Sequence, residues 1–248
     1  MDEEKTSIAE KFLQYFQVEL ASSVEQKKAV FQVRYRVYCE EFGYEPSEHF
    51  PDKAEYDEYD DHALHCLVRH KNSGMAAGCV RLVPASGDNE EPLPFEKYCA
   101  HGIDTAFVGA LNIDRSHLCE ISRLAVDGAF RRRPGEAETR FGEVDAMTCS
   151  EAEKRSFSLI AIAGFLASTA MTELSGRNDV FAMMEPFLPR LMKRSGIIFE
   201  PAGKTIQYHG DRALYYIKTQ SAIDNMVPDL KALYTAIHQQ LAQSYRGG

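Results

Sequence analysis

The segment Cys119–Val126, with the sequence CEISRLAV, predicts a strand that begins with polar residues and ends with apolar ones. Side chains alternate between the two faces of a strand, so Glu120 and Ser122 share one face while Arg123 points to the other. If Glu120 and Arg123 serve one site, a β-bulge must turn one of them to the opposite face. We therefore predict a bulged strand with a polar site near its start.

The elements around this strand indicate the fold class. Before it we predict helices Ile8–Leu20 and Gln26–Glu41, and a hairpin of strands Leu64–His70 and Met75–Val83. After it we predict a helix start within Gly142–Glu153, helix Ser156–Leu174, strand Val180–Met184, helix Pro186–Arg194, strands Ile197–Glu200 and Gln207–Ile217, and helix Met226–Gln243. This order fits an α/β fold with a mixed, mostly antiparallel central sheet and helices on both faces. No linker or repeat interrupts it, so we expect one domain over residues 1–248.

Composition excludes several classes of function. The net charge of −9 argues against a nucleic-acid binder, because neutralising phosphates needs a surplus of Lys and Arg. We find no apolar stretch near the roughly 20 residues of an integral membrane segment. The acidic start MDEEKTSIAEKF lacks a signal-peptide pattern, so we expect a cytoplasmic protein. The six cysteines show no CxxC pairing and are expected to be reduced and buried.

Charged residues upstream of the strand form a second pattern. Arg34 and Tyr38 lie four residues apart in a predicted helix, so they share a face. The loop Glu55–Asp61 is rich in carboxylates that could bind a cation, a substrate ammonium or Arg34, or simply be solvated. Arg34 could instead pair with Glu41 at the surface. Arg81 stands in an apolar strand, where a guanidinium needs a partner, and that acidic loop is the natural source of one.

Other reaction chemistries have weaker support. His62, His65 and Cys66 lack a second ligand pair at zinc spacing, so we predict no metal site. His209 precedes Gly210 in a late strand, where we expect a turn or bulge, and is a second candidate for a base. The sequence has no GxSxG, P-loop or GxGxxG motif.

The ordered set of these residues resembles a known group of enzymes. Arg34, Tyr38, Tyr44, the Glu55–Asp60 acids, Val80-Arg81-Leu82 and Glu120-x-Ser122-Arg123 together resemble the acyl-homoserine-lactone (autoinducer) synthases. The stretches VRYRVYCEEFGY, GCVRLVP, EISRLAV-x-x-x-FRRR and IQYHGDRALYY are more similar to the acyltransferases associated with exosortase (PEP-CTERM) systems. The likeness runs from about Val30 to Ile217 and extends to the long-chain N-acyl amino acid synthases.

The resemblance implies a GNAT-like N-acyltransferase fold and a thioester donor on an acyl carrier protein, with no tightly bound cofactor. The acyl-phosphopantetheine thioester, on the carrier protein or on CoA, would be the co-substrate and a small-molecule amine the acceptor. By position, the residues that would shape the acceptor site and the acyl entrance are Arg34, Tyr38, Tyr44, Asp57, Asp60 and Arg81. Glu120 would be the general base, with Ser122 and Arg123 beside it.

The resemblance also suggests which residues would contact the acyl donor. The pantetheine arm would lie along Leu124, Ala125 and Val126, and the apolar helix Ser156–Leu174 could line an acyl tunnel or be an ordinary core helix. The acidic carrier protein would face Arg131, Arg132 and Arg133.

Two departures from the family patterns refine this picture. Tyr38 and Tyr44 stand where lactone synthases usually carry Phe and Trp, which points away from lactone formation. The RRRPGE run that begins at Arg131 lacks the full Gly-rich pyrophosphate turn of CoA-dependent GNAT enzymes. The alternatives are a CoA-dependent N-acetyltransferase and a non-catalytic acyl-binding sensor on the same fold.

Overall fold

The computed structural model describes residues 7–87, 91–131 and 150–245. The helices are α1 Ile8–Tyr15, α2 Val24–Arg34, α3 Pro94–Tyr98, α4 Thr105–Ala110, α5 Gly128–Arg131, α6 Glu151–Ser156, α7 Leu159–Ser175, α8 Leu188–Lys193, α9 Thr219–Asn225 and α10 Pro228–Tyr245. A π-helical segment, Tyr35–Glu41, continues α2. The strands are β1 Phe16–Leu20, β2 Leu64–His70, β3 Ala76–Pro84, β4 Leu118–Val126, β5 Asp179–Met184, β6 Glu200–Pro201, β7 Ile206–Gln207 and β8 Asp211–Lys218.

The strands form a sheet of order β1-β2-β3-β4-β5-β8-β6, with β7 paired to the start of β8. Neighbouring strands are antiparallel except β4 and β5, which are parallel and connected through α7. A parallel pair requires a crossover of this kind, whereas the hairpin β2–β3 needs only a short turn. The predicted mixed, mostly antiparallel sheet is confirmed.

Helices cover both faces of the sheet. On one face, α1, α7 and α10 pack over the inner strands in the largest apolar cluster, which includes Phe12, Leu166 and Leu233. On the other face, α2 packs through Val30 and Val33 against β2, β3 and β4. The segment that contains α3 and α4 covers the rest of that second face. Because α7 is apolar around most of its circumference, it is buried as a core helix.

The prediction of one helix over Ile8–Leu20 is wrong in its second half. Helix α1 ends at Tyr15, and Phe16–Leu20 forms the edge strand β1, which pairs with β2 from Phe16↔His70 to Leu20↔Cys66. The sequence FQVEL has alternating burial, with Phe16, Val18 and Leu20 inward. This period of two is the signal of a half-buried strand, and pairing with β2 outweighs the helical pattern before it.

The late strands also differ from the prediction. Of the predicted strand Ile197–Glu200, only Glu200 lies in a strand, the short β6. The predicted strand Gln207–Ile217 is divided into β7 and β8. His209 and Gly210 at the division have φ of 53° and 96°, which form the turn that Gly210 suggested. The short helices α3, α4 and α9 were not predicted. Most of the helix start expected in Gly142–Glu153 lies outside the described residues.

The stretch Glu153–Ser175 is long and apolar enough to cross a membrane by length and composition, with a hydropathy of 1.6. The prediction that no apolar stretch approaches this length is therefore wrong for the stretch that contains α7. More than half of the window, 56%, is buried inside the protein, as in a helix that packs on a sheet. The cysteines in the described residues are all buried and free, as predicted.

We expect Gly196→Ala to destabilise the protein far more than Gly176→Ala. Both glycines have positive φ, but a Cβ at Gly176 meets nothing, whereas at Gly196 it would lie 1.7 Å from the Asn225 carbonyl oxygen. The backbone strain alone costs about 1 kcal/mol, and the clash with the backbone should add about 2 kcal/mol or more. Urea unfolding of both variants measures the difference, and equal losses would contradict this packing.

Candidate active site

A β-bulge in β4 arranges the polar residues of this strand. Arg81 pairs with Ser122 and Cys79 pairs with Ala125, so Arg123 and Leu124 both stand opposite one residue of β3. Arg123 has a φ of 53°, a value that is rare outside glycine. The extra residue brings Arg123 to the same face as Ser122, and the predicted bulge is confirmed.

The bulge also directs Leu124 to the opposite face, where it packs against α7. A Cβ at Gly164 would lie 2.4 Å from Leu124 Cδ1, so the Leu124 side chain occupies the space that a larger residue would need. The bulge and α7 are therefore fitted to each other at this position.

The acidic loop supplies the partners of Arg34. This guanidinium is fully buried and donates from Nε to Glu55 Oε2 at 2.5 Å and from Nη2 to Glu55 Oε1 at 3.0 Å. Its Nη1 donates to Asp60 Oδ1 at 2.7 Å. Of the alternatives for Arg34, pairing with this loop is the one observed, and Glu41 contacts Arg131 instead.

The same loop holds Arg81 and Arg123, as predicted for Arg81. Arg81 Nη1 donates to Asp57 Oδ1 at 2.6 Å and to Asp60 Oδ1 at 2.9 Å, and its Nε donates to Ser122 Oγ at 3.1 Å. Arg123 Nη2 donates to Asp57 Oδ2 at 3.1 Å, and its Nε donates to Glu55 at 3.3 Å. Three guanidinium groups and three carboxylates thus form one connected cluster, which we call the ion cluster.

Two carboxylates of the ion cluster, Glu55 and Asp60, remain ionised. Burial pushes the pKa of Glu55 upward, but Arg34 and Arg123 outweigh burial and lower this pKa below its usual value. Burial opposes ionisation of Asp60 as well, yet Arg34 and Arg81 hold the pKa of Asp60 well below its usual range. Both carboxylates can therefore fix the positions of the guanidinium groups at neutral pH.

Glu120 lies outside the ion cluster, in a less polar environment. Its side chain is buried, and its Oε2 accepts a hydrogen bond from the Phe95 backbone N–H at 2.8 Å. Burial raises the pKa of Glu120 to about 7, while the Phe95 N–H, Arg81 and Arg123 act in the opposite direction. A carboxylate with this pKa can accept and release a proton near neutral pH.

A cavity of about 590 Å³ passes beside Glu120. Strands β4 and β5 pair only from Leu118↔Asp179 to Ile121↔Ala182, so they separate just before Ser122 and Arg123. The cavity is lined by Glu120, Ser122, Arg123 and the following three residues of β4. The cavity therefore passes through the gap between β4 and β5, and we call this gap the seam.

One end of the cavity is polar and aromatic. Tyr38 and Tyr44 line it, and the Tyr38 hydroxyl donates to the Leu124 carbonyl at 3.0 Å. Burial raises the pKa of Tyr38, so this phenol stays protonated and remains a donor. The Tyr44 ring lies 5.1 Å from the His209 ring, and His209 Nε2 is 3.7 Å from Glu45 Oε1.

The other end of the cavity is mainly apolar and lies between the sheet and α7 and α8. Phe165 of α7, Met192 of α8 and Ile217 of β8 are among its lining residues. The hydroxyls of Ser168 and Thr172 also face it, but each donates within α7. The end is therefore suited to an alkyl chain, and the volume lies within the range of about 300–1,000 Å³ typical of ligand sites.

The structure divides the predicted site residues into two groups. Those that line the cavity are Glu120, Ser122, Arg123, Tyr38, Tyr44, Leu124, Ala125, Val126 and Arg131. Arg34, Asp57, Asp60 and Arg81 do not line it and belong to the ion cluster behind Arg123. Arg132 and Arg133 lie outside the described residues.

Two contributors to the site were missed in the sequence. Glu45 lines the cavity between Arg123 and His209, and its position directly after Tyr44 was the available signal. Phe95 acts on Glu120 through its backbone N–H, a role that no side-chain pattern reveals.

The histidines considered as metal ligands lie apart from the cavity lining. His65 is buried beside Asp60, and burial lowers the pKa of His65 to about 4. In the described ranges 7–87, 91–131 and 150–245, no three His, Cys, Asp or Glu side chains are arranged to hold a metal ion.

Comparison with known proteins agrees with the fold. Residues 33–139 match the profile of a family described as acetyltransferase (GNAT) domain. These residues include the end of α2, the ion cluster and all of β4. A search of curated proteins found no match.

Three solved structures illustrate the similarity in fold. TofI, in a ternary complex with an inhibitor and MTA, is 20% identical, with a TM-score of 0.59 over 86% of this chain and 99% of that one. MesI, a CoA-dependent acyl-homoserine lactone synthase, is 17% identical, with a TM-score of 0.51 over 90% and 95%. FeeM, an N-acyl amino acid synthase from uncultured soil microbes, is 12% identical, with a TM-score of 0.54 over 86% and 95%.

The protein thus has a GNAT-like fold. The matched acetyltransferase domain together with this fold supports an N-acyltransferase enzyme of the GNAT type.

We expect Arg34→Met to destabilise the protein by about 3–5 kcal/mol, because it leaves Glu55 and Asp60 buried without their main counter-charge. Arg69→Met is the control, since Arg69 pairs with Glu19 at 2.8 Å where both side chains are partly exposed, and its loss should cost about 1 kcal/mol or less. Denaturant unfolding at pH 7 measures both. A loss for Arg34→Met no larger than the control would show that the ion cluster contributes little to stability.

Proposed function

We propose that the protein transfers a fatty acyl group from a pantetheine thioester to the nitrogen of a small-molecule amine, with Glu120 as general base. The observation that supports this best is the cavity through the seam. It joins a buried carboxylate with a pKa of about 7 to an apolar end that can accept an alkyl chain.

The chemistry follows from these groups. An ammonium cannot attack a carbonyl, so Glu120 takes a proton from the acceptor nitrogen, directly or through water. The nitrogen then forms a bond to the thioester carbonyl carbon and the C–S bond breaks. The leaving thiolate takes up the second proton that the nitrogen loses as the amide forms. The oxyanion that forms between these steps requires a donor, which we assign to a backbone N–H of β4 at the seam.

The donor would bind along the unpaired edge of β4. Residues 122–126 have no strand partner on the β5 side, so the amides of a pantetheine arm can hydrogen-bond there as an added strand would. We assign Leu124, Ala125 and Val126 to this contact. The carrier would be an acyl carrier protein facing Arg131, Arg132 and Arg133, or CoA, as the description of MesI as CoA-dependent suggests.

The acceptor would occupy the polar end. Tyr38, Tyr44 and Glu45 line it, and Glu45 and Glu120 supply negative charge for an ammonium. The hydroxyl of Tyr38 holds the Leu124 carbonyl, a contact that Phe cannot make, which fits the departure from lactone synthases. Arg34, Asp57, Asp60 and Arg81 would act indirectly, by holding Arg123 in place.

The alternatives make different demands on the cavity. An acetyltransferase needs little room beyond the thioester, whereas the apolar end reaches Met192 and Ile217, so a long acyl chain is favoured. A sensor would bind the acyl carrier without consuming the thioester, and it would not require the Glu120 pKa to lie near neutrality. The stretches VRYRVYCEEFGY, GCVRLVP and IQYHGDRALYY support an association with exosortase systems as a further part of this proposal.

We expect Glu120→Gln to lower turnover by about 100-fold or more, because Gln keeps the acceptor for the Phe95 N–H but cannot take a proton. The wild-type rate should rise with pH and level off above about pH 7, since burial raises the pKa of Glu120 and the ionised form is the base. The variant should lack this pH dependence. Thiol release from acyl-CoAs of increasing length and from acyl carrier, with a panel of amines, measures both, and mass spectrometry identifies the amide.

Glu120→Gln with full activity would dismiss Glu120 as base. Thioester binding without thiol release under every condition would favour the sensor, and activity confined to acetyl-CoA would favour the acetyltransferase.

We expect charge reversal of Arg131, Arg132 and Arg133 to weaken binding of the acyl carrier, because the carrier is acidic and the attraction is electrostatic. Wild-type affinity should fall as salt rises. Reversal of Lys27 and Lys28 on α2, which do not line the cavity, is the control and should change little. Isothermal titration with acyl carrier measures the effect, and unchanged affinity of the triple variant would refute this docking surface.

A further inference from the structure

The segment Pro186–Phe199, which contains α8, differs in composition from the rest of the chain. In a protein of net charge −9, these 14 residues have no acidic residue and three basic ones, Arg190, Lys193 and Arg194. All three basic side chains are exposed, and none forms an ion pair with the part of the chain that the structure describes. The segment is therefore a locally cationic surface on an anionic protein.

The same segment exposes large apolar side chains. Phe187 and Leu191 are each 55% exposed and Ile198 is 48% exposed. Three of the nine exposed large apolar residues of the described ranges thus lie within this short segment. Apolar side chains beside unpaired cations are typical of helices that lie in the interface of an anionic bilayer.

The inner side of this segment is part of the cavity wall. Met192 and Ile197 are buried and line the apolar end, while Leu191 and Ile198, next to them in sequence, face outward. Helix α8 is therefore a thin layer between the apolar end of the cavity and the exterior. An acyl chain in the cavity would be separated from the outside by one helix.

We propose that the segment Pro186–Phe199 docks the protein on an anionic lipid bilayer. We further propose that an acyl chain passes between the cavity and the bilayer across α8, and this second part rests on the proposed acyl-transfer function. The docking itself does not depend on that function. Leu191 and Ile198 insert among the acyl chains, and the three cations contact the lipid headgroups.

A lipid surface fits this segment better than the acyl carrier does. The carrier must bring its thioester to the seam beside Glu120 and Arg123. The segment with α8 instead covers the apolar end through Met192 and Ile197, so a carrier bound there would not deliver its thioester to the seam. The long-chain product would also leave water readily for a bilayer, because burial of each CH₂ group is favourable.

The test is sedimentation of the purified full chain with vesicles of phosphatidylcholine, with and without phosphatidylglycerol. We expect binding to the anionic vesicles that falls with added salt. Replacing Arg190, Lys193 and Arg194 by Gln should weaken binding on the order of 100-fold. Leu191→Ser with Ile198→Ser should weaken it at least tenfold and leave turnover of soluble substrates unchanged. Val24→Ser with Lys28→Gln, which removes an exposed apolar side chain and an exposed cation from α2, is the control and should bind as the wild type does.

Three results would overturn the proposal: no binding to anionic vesicles, equal weakening in the α2 control, or full binding by the α8 variants. Loss of acyl-carrier affinity instead of vesicle affinity in the α8 variants would assign the surface to the carrier. A wild-type dimer on size-exclusion chromatography that Leu191→Ser with Ile198→Ser dissociates would assign it to a second copy. Glu120→Gln should bind vesicles normally, so this test is separate from that of the acyl transfer.

Discussion

The ion cluster is the constraint on which the site depends. Arg123 stands at a backbone angle that is unfavourable for a side-chain-bearing residue, and it stays there because Glu55 and Asp57 bind its guanidinium. Those carboxylates are in turn held by Arg34 and Arg81, which are buried behind them. Removing charges from water is costly, so the cluster persists only because each charge has a partner of opposite sign. The strained strand and its charged support are therefore one unit.

This unit has two consequences for chemistry. It gathers the strong charges on one side of β4 and leaves Glu120 in surroundings where burial dominates, so that carboxylate has an elevated proton affinity while Glu55 and Asp60 do not. The bulged residues also begin just after the last pair of β4 with β5, Ile121↔Ala182, where the seam opens. A buried carboxylate with a raised pKa and an open backbone edge thus lie within the same few residues of sequence.

Much of this could be predicted from the sequence. The polar start of β4 indicated the bulge, and an Arg in an apolar strand indicated a carboxylate partner, because neither feature is tolerated without compensation. The strand Phe16–Leu20 was missed because its alternation covers only five residues beside a convincing helix, and its pairing with β2 is a long-range contact. The role of Arg34 and Arg81 behind the site, rather than in it, depends on depth within the fold, which residue spacing does not encode. The Phe95 contribution comes from a backbone group and has no residue signature.

The fit between Leu124 and Gly164 has an evolutionary consequence. Leu124 fills the notch that the missing side chain of Gly164 leaves in α7, and Leu124 also lines the cavity. A larger residue on the helix would force a smaller one on the strand, so in homologues these two positions should covary. For the proposed acyl transfer, such compensated exchanges would change the preferred chain length while the charged half of the strand remains unaltered.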